Sequence, residues 1–466
     1  MTTRSDKMGV TGLTVLVAVN IMGSGIIMLP SNMAKIGSIS ILSWLVSAIG
    51  AMALAYSFAV AGYLVPRSGG ISLYAEEGHG KSGFFMTSYN YFFCLVVGDI
   101  AIAVSAIGYL SSFIPWLGST PVHTCIGVIA SLWLTTIANF WGARITSRFN
   151  SVSVWGVIIP VASLAFFGWF WFDPSMFAGS WNIHHVPVGT AITSGISLTL
   201  WAFIGMESAC ICSDTVDNPK RNVPIACLVG TGFAAVVYML STSVIQGIVP
   251  NQALANSNAP FGLAFATLFT PAVGQFISML AILACLGSLL GWQFTMGQIA
   301  KSAADIGMFP KVFGQANKHG VPVRGLLITL VMQTVISLMT ISPDLNQQFN
   351  AVVNLAVFNN VVPYLLSLTP LALIMKRNRV EHKSYVINLC IAAIALLYTM
   401  YSIYSLGQSA VFWGCLIMLA GYLMFGLLAP HLKEMVAVDV EPATLPPTEP
   451  AAAVAVAKMA VTETAR

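Results

Sequence analysis

The chain has 466 residues, of which 57% are hydrophobic and only 8% are charged, and its mean hydropathy is +0.82. Water-soluble domains carry about 25% charged residues, so this composition excludes a soluble globular protein and indicates an integral membrane protein. We attribute the formal net charge of +4 to basic loops beside the membrane, and it does not indicate nucleic-acid binding.

Apolar runs recur along the whole chain. A helix needs roughly 20 apolar residues to cross about 30 Å of hydrocarbon, and continuous runs without a period of two exclude an outer-membrane barrel. Residues 1–10 lack the cleavable pattern of a signal peptide, so the first run is expected to remain as a helix. We predict an all-α membrane protein of about twelve segments, numbered 1 to 12, at 10–30, 39–65, 83–114, 122–142, 151–172, 189–212, 223–249, 273–303, 323–341, 347–375, 384–406 and 409–430.

The basic residues predict the orientation of these segments. All Lys and Arg residues except Lys35 lie before segment 1, in or beside the loops that follow even-numbered segments, or after segment 12. Because cytoplasmic loops collect Lys and Arg, both termini are predicted to be cytoplasmic. The regular alternation also supports the number of segments, since one missed segment would disrupt it.

The end of the chain and the cysteines indicate no further functional unit. After Lys433 the chain reads "VEPATLPPTEPAAAVAVAKMAV", whose last apolar stretch is too short to span a membrane. This composition predicts a disordered tail. The eight cysteines show no CxxC pattern and no Cys/His ligand spacing, so we predict no disulfide framework, no metal site and no cofactor.

Two acidic residues lie well inside predicted segments, Asp99 in segment 3 and Glu207 in segment 6, and no Lys or Arg accompanies them there. A carboxylate inside the bilayer costs roughly 2.5–3.5 kcal/mol, so it normally faces a partner or a water-filled pathway. We expect the missing counter-charge to be a cationic substrate or a proton, both of which Glu207 would bind in turn. The alternative is that each carboxyl group stays protonated and hydrogen-bonds to a neighbouring helix.

Glycines interrupt two of the segments at matching points. Segment 1 contains Gly23, Ser24 and Gly25 in mid-span, and segment 6 contains Gly205 two residues before Glu207. Glycine permits the backbone to unwind, which leaves half-helix ends that offer N–H groups and carbonyls to a ligand near the midplane. Paired interruptions five segments apart predict an inverted five-plus-five repeat. Close helix packing through small residues is the alternative explanation.

Aromatic side chains accompany the acidic residues. Tyr91 lies eight residues before Asp99, which is about 12 Å along a helix. Trp201 and Trp292 lie in mid-span, where they are out of place for an interfacial aromatic belt. Rings that face a cavity could attract an ammonium group by roughly 0.5–2 kcal/mol each. Simple packing is the alternative for each ring.

Four phrases carry a resemblance to a known family: "MGSGIIMLP" in segment 1, "PRSGGISLYAEE" after segment 2, "LWAFIGMESA" in segment 6 and "NPKRNVPIA" after it. They resemble the basic amino acid/polyamine antiporters of the amino acid–polyamine–organocation superfamily. The phrases "SISILSWLVSAIGAMALA", "NAPFGLAFA" and "GSLLGWQFT" are similar to the bacterial putrescine–ornithine antiporters within that family. The resemblance extends from about residue 8 to residue 430.

This resemblance implies a twelve-helix transporter of the bacterial inner membrane, dimeric, whose first ten helices form the inverted repeat. It divides the chain into a cytoplasmic N-terminus (1–9), a transport core (10–375), segments 11 and 12 (384–430) and a cytoplasmic tail (431–466). A buried cysteine is more often mere packing than part of a pathway. The implied substrate-binding residues are Gly23, Ser24, Gly25, Tyr91, Trp201, Glu207 and Trp292, and the implied pathway or gate residues are Glu76, Cys210, Cys285 and Tyr364.

The chain departs from the family pattern at Asp99, where the resemblance would have an asparagine. A second carboxylate near the site should favour a dication over a monocation, so we include Asp99 among the substrate-binding residues. The resemblance implies import of ornithine and export of putrescine, functionally coupled to an ornithine decarboxylase, with putrescine uptake together with a proton as a second mode. The alternative is another pair, lysine/cadaverine or arginine/agmatine, because one CH₂ changes affinity by only about 0.8 kcal/mol.

Two other functional classes fit the sequence less well. An intramembrane protease would need a pair of helix aspartates or a serine with a partner histidine. Asp99 has no such aspartate, and no histidine lies in mid-segment. A cation channel could use acidic rings, but glycine breaks in both halves fit alternating access better. We therefore predict a transporter and no enzymatic activity.

Overall fold

The computed structural model describes residues 8–428, except for 67–68, 143–145, 147–148, 150, 212–215 and 342–343. Its elements are helices, and one isolated β-bridge pairs Met8 with Val216. Within the described residues, 10 helices are long and apolar enough to cross a membrane. Two shorter apolar helices, Val10–Ile21 and Val323–Met339, correspond to predicted segments 1 and 9. The predicted all-α fold of about twelve segments is confirmed.

The observed segments follow the predicted order, and several are joined by short helices. The short helices are Trp116–Ser119, Pro174–Gly179, Asn251–Ala255 and Pro260–Leu268. The segments are Val10–Ile21 with Leu29–Ile36 (1), Ile41–Leu64 (2), Gly70–Leu110 (3), Pro121–Asn139 (4), Trp155–Phe167 (5), Val188–Phe203 with Ser208–Ile211 (6), Pro219–Gln246 (7), Pro271–Asp305 (8), Val323–Met339 (9), Leu345–Leu368 with Leu371–Arg377 (10), His382–Ser405 (11) and Gln408–Leu428 (12).

Segments 1 and 6 are both broken in mid-span. In segment 1 a single 3₁₀ turn, Ser24–Ile26, lies between the two helical halves. In segment 6 the backbone turns extended at Ile204 (ψ 134°) and then enters the left-handed region at Gly205 (φ 109°). A Cβ atom at Gly205 would lie 3.1 Å from the carbonyl oxygen of Asn20. Only glycine combines this backbone conformation with such a close approach of segment 1.

The packing of the segments has the symmetry expected of an inverted repeat, in which each segment corresponds to the one five positions later. Segment 1 packs on segment 7, and its counterpart segment 6 packs on segment 2. Segment 3 packs on segment 10, and its counterpart segment 8 packs on segment 5. Segments 2 and 7 pack together, as do segments 3 and 8. With the two matching breaks, this packing confirms the predicted five-plus-five arrangement.

The predicted loop between segments 2 and 3 is wrong, because the helix of segment 3 already begins at Gly70. Its helical path is interrupted only at Gly80 (φ 62°, ψ −157°). The glycine-rich, polar stretch before Gly80 has the composition of a loop, but contacts with segment 10 hold it as a helix. Glu77 pairs with Arg377 at 2.8 Å, and Gly78 lies against Pro370.

The described residues test only part of the predicted orientation. Residues 1–7 and residues 431–466 lie outside the described part of the chain, as do Arg67, Arg144 and Arg148. The cytoplasmic termini and the disordered tail therefore stay predictions. Lys35, the one basic residue predicted to lie on the opposite side, forms an ion pair with Asp344 at 3.0 Å. Its charge is thus balanced by the residue that begins segment 10.

Candidate substrate-binding site

A cavity of about 50 Å³ lies where the breaks of segments 1 and 6 meet segments 3 and 8. None of the residues that line it is basic. The unwound backbone of segment 1 forms part of its wall, so peptide groups without helical partners are available there. Of the residues predicted to bind substrate, the cavity is lined by Gly23, Gly25, Asp99, Trp201 and Trp292.

The indole of Trp201 occupies the room that two glycines leave. A Cβ atom at Gly25 would lie 3.5 Å from Trp201 Nε1, and one at Gly98 would lie 3.1 Å from Trp201 Cη2. The ring is 8% exposed, and its Nε1–H has no hydrogen-bond partner among the described atoms. Trp201 is in the last turn of the first half of segment 6, so the break fixes where this ring meets segments 1 and 3.

Glu207 lies just beyond the cavity, where it is fully buried. One carboxylate oxygen, Oε1, accepts a hydrogen bond from the Tyr91 hydroxyl at 2.9 Å. The other, Oε2, accepts from the Tyr364 hydroxyl at 2.7 Å and from the Gly205 N–H at 3.2 Å. We call Tyr91, Glu207 and Tyr364 the tyrosine–glutamate cluster. It brings together three predicted residues from segments 3, 6 and 10.

Segment 3 connects this cluster with the cavity. Tyr91, Cys94, Leu95, Gly98 and Asp99 are spaced at intervals of three and four residues, so they share one helix face. Four of them line the cavity, and Tyr91 is one turn beyond, on the side of Gly70. Glu207 therefore meets this face at Tyr91, Asp99 lies eight residues further along it, and the Trp201 ring meets it at Gly98.

Asp99 is 1% exposed and its two oxygens differ in their surroundings. Oδ2 accepts a hydrogen bond from Gln333 Nε2 at 3.0 Å. Oδ1 is buried and has no partner among the described atoms, although Asp99 lines the cavity. Sequence reasoning missed Gln333. The available signal was a single amide in mid-span of segment 9, "LLITLVMQTVISLM".

Two tyrosines that the sequence analysis also missed support the broken segment 1. The Tyr238 hydroxyl donates to the Ile21 carbonyl at 2.6 Å. The Tyr109 hydroxyl donates to the Ile27 carbonyl at 3.2 Å. Buried carbonyl groups at a helix break need such partners, because an unsatisfied group costs about 1–3 kcal/mol. These bonds flank the break on both sides. A hydroxyl group in an otherwise apolar neighbourhood was the signal for each.

The remaining predicted residues are not among those that line the cavity. Cys210 packs between segments 2 and 7, with its Sγ 3.8 Å from the Phe58 carbonyl oxygen and 3.9 Å from Cys227 Sγ. Cys285 is fully buried in segment 8. Glu76 lies in the helical stretch before Gly80. Ser24 is between two glycines of the cavity wall, but its side chain lies outside the described part of the structure.

Within the described residues, no group of three or more His, Cys, Asp or Glu side chains could hold a metal ion.

Comparisons with known proteins identify the family. The amino acid permease model matches residues 8–424. The putrescine transporter PotE of Escherichia coli (strain K12) is 50% identical over 432 residues, which cover 92% of this chain and 98% of that protein. PotE of Haemophilus influenzae (strain Rd) is 50% identical over 429 residues, with the same coverage of 92% and 98%. The cadaverine/lysine antiporter of E. coli K12 is 38% identical over 368 residues, or 78% of this chain and 82% of that protein.

These matches extend over nearly the whole described structure and confirm the resemblance found in the sequence. The relatives are transporters, so the prediction of a transporter without enzymatic activity is confirmed. The apolar helices and the bacterial relatives identify a multi-pass protein of the inner membrane. With a family model that matches all twelve segments, the chain belongs to the amino acid permease family.

Proposed function

We propose that the protein exchanges external ornithine for internal putrescine and can also take up putrescine together with a proton. The observation that carries this proposal is a cavity whose lining has no basic residue but includes the buried Asp99, beside a second buried carboxyl group, Glu207, whose partner Tyr91 lies one helical turn from the lining residue Cys94. A ligand with two ammonium groups complements that pair of acids. Relatives that are 50% identical bear the name putrescine transporter, which supports the same substrate here.

The hydrogen bonds of Glu207 leave room for one ammonium group. An ionised carboxylate has about four acceptor positions, and three are used by the cluster and by Gly205. Among the described residues, the Tyr91 hydroxyl is the only side-chain donor to Oε1, so we assign the remaining position to that oxygen. A substrate N–H could therefore bind there without displacing an existing donor. When the site is empty of substrate, a proton on Oε1 would serve the second transport mode.

Asp99 offers the complementary end of the site. Its Oδ1 has no partner among the described residues, so it can accept from a second ammonium group. The Trp201 ring, which lines the cavity and lies against Gly98 beside Asp99, would cover the alkyl chain and attract an ammonium group by cation–π interaction. Trp292 lines the same cavity from segment 8. In this proposal a diamine uses both acids, whereas the side-chain amine of ornithine uses one.

The amino-acid head group of ornithine would bind at the break of segment 1. Gly23, Ser24 and Gly25 lie at the interruption of the helix, where backbone N–H groups and carbonyls would bind the charges of a zwitterionic head group. No side chain at Gly23 or Gly25 obstructs that approach. The pathway residues of the proposal are Tyr364, Glu76, Cys210 and Cys285, with Tyr364 as the gate that closes over Glu207 through its 2.7 Å hydrogen bond.

The energetics of exchange depend on the orientation. We propose that both termini are cytoplasmic, as the basic residues indicate. We also propose that two copies of the chain form a homodimer, as the family resemblance implies. Ornithine carries one positive charge and putrescine two near neutral pH. Each cycle would move one positive charge outward, which costs about 2.3 kcal/mol per 100 mV against a negative interior. A putrescine gradient made by an ornithine decarboxylase would have to exceed that cost.

A second candidate function is exchange of lysine for cadaverine. The observation in its favour is the 38% identity with the cadaverine/lysine antiporter. Arginine and agmatine form a third possible pair. Proteoliposomes loaded with ornithine, lysine, arginine or no amino acid distinguish these pairs when uptake of labelled putrescine, cadaverine and agmatine is measured. We expect ornithine-loaded vesicles to take up putrescine fastest. Equal uptake into empty vesicles and ornithine-loaded vesicles would contradict the exchange.

A further inference from the structure

In the described part of the chain, Gln333 is the only residue whose side chain hydrogen-bonds to the Asp99 carboxyl group. It is fully buried in segment 9 and does not line the cavity. Its Nε2 donates to Asp99 Oδ2 at 3.0 Å and to the Val96 carbonyl oxygen at 3.2 Å. One amide thus contacts a side chain and a backbone group on adjacent turns of segment 3.

The Val96 carbonyl determines which way the amide points. A backbone carbonyl can only accept, so the NH₂ end of Gln333 has to face segment 3, and the two N–H groups match two acceptors. The reversed amide would bring its oxygen against the Val96 oxygen. The observed orientation therefore presents a donor to Asp99 Oδ2 in every position that keeps the Val96 contact.

This contact has a consequence for the free oxygen of Asp99. A carboxyl group can turn about its last side-chain torsion, which has a broad and roughly two-fold preference. A hydrogen bond that holds Oδ2 against segment 9 removes that freedom. Oδ1 is then the oxygen left for a ligand, and it is buried without a partner among the described atoms. Binding groups that are held in place before the ligand arrives lose less entropy on binding.

We propose that Gln333 is a positioning residue that holds Asp99 with Oδ1 towards the cavity, where it receives the second ammonium group of a diamine. This inference rests on the proposed function, because it assumes that a dication binds in the cavity. Gln333 does not touch substrate in this account, and acts only through Asp99. It therefore determines the preference for a diamine over a cation with one amine on its side chain.

The test compares shape-preserving variants. Gln333→Met keeps an unbranched side chain of similar length but removes both donors. We expect it to weaken putrescine binding about 2- to 10-fold, because the Asp99 side chain would then have to be ordered when the ligand binds, and to change ornithine binding less. In an Asp99→Asn background, the same Gln333→Met change should not weaken putrescine binding further, since the charged carboxylate that Gln333 positions has been replaced by a neutral amide.

Gln293 provides a matched control. It is also a fully buried glutamine, and its Nε2 donates to the Leu132 carbonyl at 3.2 Å. Gln293→Met removes a buried amide of the same kind without touching Asp99. We expect this variant to lose some thermal stability while the ratio of putrescine to ornithine affinity stays at the wild-type value.

Binding of labelled putrescine and ornithine to purified protein is the first readout, and exchange in proteoliposomes is the second. The inference is contradicted if Gln333→Met weakens the binding of both substrates equally, as a packing defect would. It is also contradicted if Gln333→Met weakens putrescine binding by the same factor in the Asp99→Asn variant as in the wild-type protein. A wild-type protein that binds putrescine but does not exchange ornithine would overturn the proposed exchange alone. The binding measurements would still decide the role of Gln333.

Discussion

Glu207→Gln is the substitution for which the structure allows the most detailed prediction. The glutamine keeps the shape of glutamate but replaces one oxygen by an NH₂ group and removes the charge. Two donors converge on the Oε2 position, and one of them, the Gly205 N–H, cannot reverse its role. The amide oxygen should therefore occupy that position. The NH₂ group then faces Tyr91, whose hydroxyl can rotate and accept.

This orientation separates the effect on folding from the effect on binding. All three contacts of Glu207 persist in altered form, so we expect the variant to fold and reach the membrane. The position on Oε1 that the proposal assigns to a substrate ammonium is replaced by a donor. A hydrogen bond to a charged group is worth about 1.5–3 kcal/mol, so putrescine affinity should fall about 10- to 150-fold. Putrescine uptake should also lose its dependence on pH.

Transport into proteoliposomes over a range of acid to neutral pH measures both effects. Glu207→Asp keeps the charge on a shorter side chain and should retain part of each activity. Asp173→Asn is the control for loss of one carboxylate outside the membrane, because asparagine caps the helix Pro174–Gly179 as well as Asp173 does. A glutamine variant with wild-type affinity and wild-type pH dependence would mean that Glu207 has only a packing role.

Four further substitutions test other parts of the site. Trp201→Leu and Trp292→Leu keep apolar bulk but remove the aromatic ring, so each should weaken putrescine binding by about 0.5–2 kcal/mol. If both variants reach normal abundance in the membrane and bind putrescine with unchanged affinity, the two rings are not walls of the binding cavity. Asp99→Asn deletes a charge with little change of shape and should weaken the binding of putrescine more than the binding of ornithine. Equal losses of affinity for the two substrates would indicate that Asp99 has a role in folding. Gly205→Ala should lower the free energy of unfolding by on the order of 1–3 kcal/mol, because φ at this position is 109°. The control is Gly189→Ala, where a Cβ atom would meet nothing within 4 Å. Equal melting temperatures of the two variants in thermal unfolding would contradict the predicted backbone strain at Gly205.

The breaks in segments 1 and 6 could be predicted from the sequence because their cause is local. Glycine lowers the cost of leaving the helix, and Gly205 has the positive φ that its position requires. Composition likewise predicted the segments, since the need to cross the bilayer acts on each run separately. The helix before Gly80 was missed for the opposite reason. Its stability depends on contacts with segment 10, which lies about 290 residues further along the chain.

The site was predictable as a set of residues but not as a set of contacts. Asp99 and Glu207 stand out in the sequence because charge inside the bilayer is costly. Their partners come from segments that are remote in sequence. Tyr364 is 157 positions from Glu207, and Gln333 is 234 positions from Asp99. A tyrosine or glutamine in an apolar segment signals a polar contact, but which residue it contacts depends on how the segments pack.

The most direct test of the exchange is its charge movement. Proteoliposomes loaded with labelled putrescine are placed in ornithine, and efflux is measured while a potassium gradient with valinomycin sets the membrane potential. Our account predicts that external ornithine accelerates efflux, that one ornithine enters for each putrescine that leaves, and that an interior-negative potential slows the exchange, because each cycle moves one positive charge outward. Efflux that is the same with and without external ornithine, or exchange that is indifferent to the potential, would contradict it.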